Sequence, residues 1–166
     1  MTLVKRHGIR SEHIESVYVG LPTNSMRVVD NRDMHNICLQ DMVSAAIVLG
    51  GLKLKGSPFP ELLSDTAYMH LRPRIDLRGD PDLDRDQPAG RGAIVAITTN
   101  DGTTVSERVE APLGHSQRGG VSWDDLGRKW REGLPECNVD KMLTLGKGLD
   151  ELEDVNELLD VFKEVH

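Results

Sequence analysis

Aromatic side chains are scarce in this 166-residue chain, with two each of Phe, Trp and Tyr. Its core must therefore be aliphatic, and it offers no row of rings on which nucleobases could stack. A basic excess is also missing: 27 Asp and Glu against 20 Lys and Arg give a formal net charge of -7. Nucleic-acid binding needs a cationic face that displaces phosphate counterions, so that class of partner is excluded. The only cysteines, Cys38 and Cys137, show no CxxC spacing. Two buried thiols in a reducing cytoplasm fit this usage better than a disulfide framework. No apolar run approaches the ~20 residues that span a bilayer. The start, Met1 to His7 (MTLVKRH), has no signal-peptide core. The expectation is a soluble cytoplasmic protein with no membrane association. With 38% hydrophobic and 28% charged residues, it is long enough to bury a single sizeable core.

Hydropathy patterning outlines the elements. His13 to Leu21 is rich in β-branched and aromatic residues and ends at Pro22, as a strand would. Asp33 to Gly51 reads as one helix, with Asp33 capping its first turn and Gly50-Gly51 ending it. Leu39, Met42, Val43, Ala46 and Ile47 lie on one face of it, and Cys38, Ala45 and Val48 carry apolarity further round. Lys53 to His70 reads as a loop with a short helix, and Arg74 to Leu77 as a strand. Gly79 to Gly90 reads as a solvated acidic loop. Gly92–Thr98 and Thr103–Glu110 form a hairpin about Asn100-Asp101-Gly102, since Asp-Gly tolerates the positive φ of a tight turn. After the glycine-rich segment Gly114–Gly120, Ser122 opens a helix with Asp125 at capping-box distance. Further helices are expected over Val139–Leu145 and Asp150–Val165, and the last carries an apolar stripe of Leu152, Val155, Leu159 and Phe162. The mixture with a clear hairpin predicts an α+β fold, an antiparallel sheet with helices packed on one face.

Several chemistries fail on spacing. Counted from Asp80, the aspartates at 80, 82, 84 and 86 lack the glycine at position six and the glutamate at position twelve of an EF-hand loop. Gly90-Arg91-Gly92 precedes a strand, whereas a dinucleotide fingerprint follows one and opens a helix. The six histidines show no metal-ligand spacing, so no metal is expected. His35 stands beside Asp33, Asn36, Gln40 and Asp41. His115 lies in a loop with Gln117 and Arg118, a composition that suits a carboxylate. On a helical wheel Asp41 sits among Ile37, Cys38, Ser44, Ala45 and Val48. A carboxylate there must find donors or have its pKa raised, and a raised carboxyl would be a general acid/base candidate.

The helix with Asn36-Ile37-Cys38-Leu39-Gln40 leading into an apolar stretch and Gly50 resembles the motif helix of the MmgE/PrpD family, the 2-methylcitrate dehydratases, cis-aconitate decarboxylases and their relatives. In order along the chain, His7-Gly8-Ile9, Asp101-Gly102, Pro112 to His115, Ser122 to Leu126 with Lys129-Trp130, and Leu149 to Val155 resemble further parts of that family's smaller domain. The resemblance implies an α+β lid-like domain over 1–136 and a C-terminal helical segment over 137–166. The large helical domain that contributes most of the family's catalytic groups has no counterpart in this sequence. The implied function is that of a stand-alone lid-type subunit of a split enzyme that dehydrates, decarboxylates or isomerises a small polycarboxylate without cofactor. Asp41, His35 and His115 are the catalytic candidates, and Gln40, Asn36 and Arg118 the substrate-binding ones. Asp41 stands where relatives often have Tyr or His, an acid in place of a donor. A helical-domain subunit, or a second copy, would dock on Leu152, Val155, Leu159 and Phe162. The alternatives are a non-catalytic homodimeric binding protein and a self-sufficient enzyme with a rebuilt site.

Overall fold

Alternation along Ile14–Leu21 (β1) sends Val17 and Val19 into the interior and Ser16 and Tyr18 to the other side. β1 lies inside a four-stranded sheet of order β2-β1-β3-β4, with β2 at Ile75–Gly79, β3 at Ala93–Thr99 and β4 at Thr104–Val109. The computed structural model describes residues 2–52, 57–87 and 89–163. Register aligns Val17 with Ile75 and Ile97, and Ile97 with Val105, giving an apolar row across one face. The neighbouring row, Tyr18, Ala96 and Ser106, belongs to the opposite face. The apolar row, joined by Leu3, Ile14 and Leu71, forms the core. Helix α3 (Leu39–Val48) covers it with Leu39, Val43 and Ile47, beside α1 (Thr2–His7). Each such side chain removed from water contributes roughly 1.5–3 kcal/mol.

The hairpin between β3 and β4 turns at Asn100-Asp101-Gly102, with Gly102 at φ 83°. The Asp101 carboxylate accepts from Thr99 Oγ1 (2.6 Å) and Thr103 N (3.0 Å), which fixes the bend. The sheet is antiparallel except for the β1–β2 pair, which is parallel. Parallel neighbours need a crossover. Here it carries α2 (Thr23–Val29), α3, α4 (Phe59–Leu62) and α5 (Thr66–Leu71), and the candidate site is built on it.

Four expectations change in detail. The helix predicted from Asp33 begins at Leu39. Residues 34–38 instead make a separate tight turn, in which Met34 O accepts from both Ile37 N and Cys38 N, and Cys38 takes an extended conformation (φ -82°, ψ 117°). The acidic segment contains a short helix, α6 (Pro81–Arg85), because Asp80 accepts from Asp82 N and Leu83 N and Pro81 suits the first helical position. Asp84 bonds the backbone and hydroxyl of Thr23, and Asp86 pairs with Arg108. That packing brings Gly79 so close to Thr23 that a Cβ would lie 2.6 Å from its Oγ1. The last helix, α9 (Asn156–Lys163), starts six residues later than predicted. Asp154 accepts from Asn156 N there, and Leu152 and Val155 precede the helix. Cys38 is buried, whereas Cys137 is only half-buried. Residues 53–56 of the predicted loop, Pro88, residues 164 and 165 of the predicted helix, and residue 166 lie outside the described residues.

The compact units divide after Pro112, whereas the sequence reading places the boundary after residue 136. The second unit contains α7 (Trp123–Gly133), α8 (Val139–Lys147) and α9. Ser122 caps α7 by accepting from Asp125 N (3.0 Å). Gly127 lets α7 and α8 approach: a Cβ there would meet Leu143 Cδ1 at 2.8 Å. Val139, Met142 and Val161 are the buried apolar residues of this unit.

Candidate active site

The break at Cys38 creates the site. In a continuous helix His35 and Asp41, six residues apart, would stand roughly 120° apart around the axis and about 9 Å apart along it. With the chain folded back through the 34–38 turn, His35 Nδ1 lies 2.6 Å from Asp41 Oδ2. Asp41 sits in the first turn of α3, where the helix dipole favours a negative charge. It is only 1% exposed. Its other oxygen, Oδ1, accepts from Arg72 Nε, and Arg72 Nη2 lies 3.6 Å from Cys38 Sγ. Arg72 is supplied by the turn that follows α5. The His35 ring stacks on Phe59 with centroids 5.0 Å apart, and Phe59 meets Tyr68 edge-on at 6.4 Å.

Electrostatics at Asp41 run opposite to a raised carboxyl. Burial alone would push it up, but the hydrogen bonds from His35 and Arg72, with the Tyr68 phenol close by, hold it below the ordinary aspartate range. The carboxyl found donors, so it is an anion rather than a proton donor near neutrality. Tyr68 is pushed up to about 12, first by burial and then by the Asp41 charge. Its buried hydroxyl makes no hydrogen bond among the described residues.

An open cleft of about 550 Å³ lies over this group, lined by Asn31, Arg32, Asp33, His35, Asp41, Leu63, Tyr68, Met69 and Arg72. The His35 side chain is 38% exposed there, and its Nε2 bonds none of the described residues. Gln40 is buried and committed to the loop beside the cleft: Oε1 accepts from Asn31 N (3.1 Å) and Nε2 donates to Asp30 Oδ1 (2.7 Å). It thereby braces Asn31, which holds a positive φ of 43°. Both polar ends of Gln40, expected from the sequence to bind substrate, are thus engaged by the protein. Asn36 is exposed on the 34–38 turn. His115 and Arg118 belong to the second unit, where His115 Nδ1 accepts from Gln117 N (3.3 Å) and caps the short turn Ser116–Arg118.

Sequence reasoning brought out His35 and Asp41 but missed Arg72, Tyr68 and Phe59. The one signal for Arg72 was indirect: a carboxylate on an apolar helix face needs a donor from elsewhere. Among the described residues no cluster of His, Cys, Asp and Glu could hold a metal, and no helix is long and apolar enough to cross a membrane.

No curated protein matches the chain. The sequence profile of the MmgE/PrpD C-terminal domain matches residues 1–140. Because that match spans most of the 166 residues and the α+β fold agrees with it, the chain belongs to the MmgE/PrpD C-terminal domain family.

Proposed function

We propose that this chain supplies an acid–base wall to a site that dehydrates, decarboxylates or isomerises a small polycarboxylate. A helical domain of the family's kind would complete the site as a separate subunit. The observation that carries this reading is the His35–Asp41 pair at the floor of an open cleft. A histidine anchored at Nδ1 by a buried carboxylate, with its other nitrogen unengaged, is a general acid/base whose geometry is set before substrate arrives. Proton transfer to or from a carbon beside a carboxylate is common to these reactions: dehydration and isomerisation take a proton from such a carbon, and decarboxylation, once CO2 has left, delivers one. The exposed Arg32 at the cleft rim adds a cation suited to a substrate carboxylate.

The test is turnover of cis-aconitate and 2-methylcitrate by the full chain, alone and mixed with a purified helical-domain homologue, followed through the absorbance of the conjugated double bond. Turnover is expected in the mixture. Activity of the chain alone would favour a self-sufficient enzyme, and inactivity of both toward a panel of di- and tricarboxylates would sink the reading.

A second reading rests on the apolar residues near the C-terminus. Val155, Leu159 and Phe162 are exposed, at 56%, 50% and 42%, and Leu152 is half-buried. Residues of this kind mark an interface for a helical-domain subunit or a second copy. Replacing Leu159 and Phe162 by Glu should convert a self-associating chain to a monomer in sedimentation. If the unmodified chain is already monomeric at high concentration and does not bind the helical domain, this interface is absent.

A further inference from the structure

We propose that Arg72 is a positioning residue for His35: by occupying one oxygen of Asp41 it fixes the carboxylate so that the other oxygen accepts from His35 Nδ1, leaving Nε2 as the free lone pair in the cleft. The inference deepens the acid–base reading above and rests on it for its catalytic meaning, but the geometry that carries it is independent of any reaction.

Asp41 has two oxygens and two strong partners, Arg72 Nε on Oδ1 and His35 Nδ1 on Oδ2. An ionised carboxylate only accepts hydrogen bonds, so a neutral His35 facing it must carry its proton on Nδ1. Nε2 is then an acceptor. The guanidinium makes this arrangement hold, because a buried carboxylate without a second donor would be free to protonate or to rotate away from the ring. Arg72 is itself held on both sides of its planar fork, by Asp41 through Nε and by Cys38 Sγ through Nη2. That fork geometry belongs to arginine and not to lysine. Phe59 limits the remaining freedom by stacking on the imidazole.

The charged and titratable groups around the cleft are few. The 31–35 loop contributes Arg32 and Asp33, α3 contributes Asp41, α5 contributes Tyr68, and the turn after it Arg72. Arg32 and Asp33 are exposed and screened by water, so the buried Asp41 with its Arg72 partner dominates the choice of tautomer. A charge-assisted hydrogen bond of this kind favours the Nδ1–H form about tenfold or more.

The experiment is long-range proton–nitrogen NMR of the histidine rings in the full chain. It compares the wild type with Arg72→Gln and Arg72→Lys, and adds the pH profile of turnover in the assembled system. Wild-type His35 is expected as the Nδ1–H tautomer, with the Nε2–H form below about a tenth. Arg72→Gln should raise the Nε2–H fraction several-fold and lower kcat more than it raises KM. Arg72→Lys, which restores the charge but not the fork, should fall between the two. A wild-type ring carrying its proton on Nε2 would overturn the proposal, as would a folded Arg72→Gln chain with the wild-type tautomer ratio. If Arg72→Gln does not fold, the wild-type tautomer and the Arg72→Lys chain decide. Because the tautomer is read without turnover, a shift in an inactive system upholds this inference and removes the proposed reaction. Normal turnover with an unmoved tautomer does the reverse.

Discussion

Asp41→Asn is expected to lower turnover of the assembled system about 10⁴-fold, the scale seen when an orienting aspartate behind a catalytic histidine becomes an amide. The amide can present an N–H to Nδ1 and so reverses the tautomer that leaves Nε2 free. Stability should fall too, because Arg72 loses its anion. Breaking a fully buried ion pair costs about 3–5 kcal/mol. The Arg72 side chain is 36% exposed and can turn toward water, so roughly 1–3 kcal/mol is the better expectation. The pH dependence follows from the direction of the shift. Asp41 is held below its unfolded value, so its contribution is complete above the unfolded range near about pH 4 and is lost as pH falls through the lower folded value. Urea denaturation should therefore separate wild type and Asp41→Asn at pH 7, and the gap should close progressively in acid. Unaltered turnover in a folded Asp41→Asn chain would remove this residue from the chemistry. A stability gap that did not depend on pH would show that the carboxylate charge is not what the fold uses.

Leu71→Ala is expected to cost about 2–5 kcal/mol, through lost burial plus the cavity left behind. Leu71 is fully buried against β1 and β2 residues of the core, and it is the last residue of α5, directly before Arg72. For a chain of this size each kcal/mol moves the melting midpoint by about 2–4 °C, a drop calorimetry resolves easily. Leu63, 48% exposed at the cleft rim, is the control. Its replacement by Ala should stay within about 0.5 kcal/mol. A Leu71→Ala midpoint no lower than that of Leu63→Ala would mean that the sheet core does not depend on this contact. The position of Arg72 ties the two results together, since loosening α5 also loosens the donor that holds Asp41.

Much of the sheet was legible because strand signals are local. Ile14–Leu21 and the Asn100-Asp101-Gly102 hairpin follow from alternation and turn chemistry within a few residues. Ser122 declared its helix the same way, through a cap three residues from its partner. The errors fall where a local pattern was extended past a cap. Asp33 looked like the start of a helix because apolar periodicity continues beyond it, and Asp150 because the stripe begins near it. In each case the helix begins further on, after Cys38 or Asp154 takes a non-helical role.

His35 and Asp41 could be singled out one by one, since polar groups beside an apolar helix need partners. Their pairing could not, because it depends on a turn that interrupts the helical spacing. The sequence by itself determined the strand segments, the apolar face of α3, the family resemblance and the need of Asp41 for a donor. Only the tertiary structure decided that the donor is Arg72, 31 residues away. The crossover joining the parallel strands β1 and β2 delivers it, and chain-distant partners of that kind leave no periodicity to read. The same packing decided the charge of Asp41. Burial alone would have raised its pKa, and two donors assembled by the fold reverse the sign.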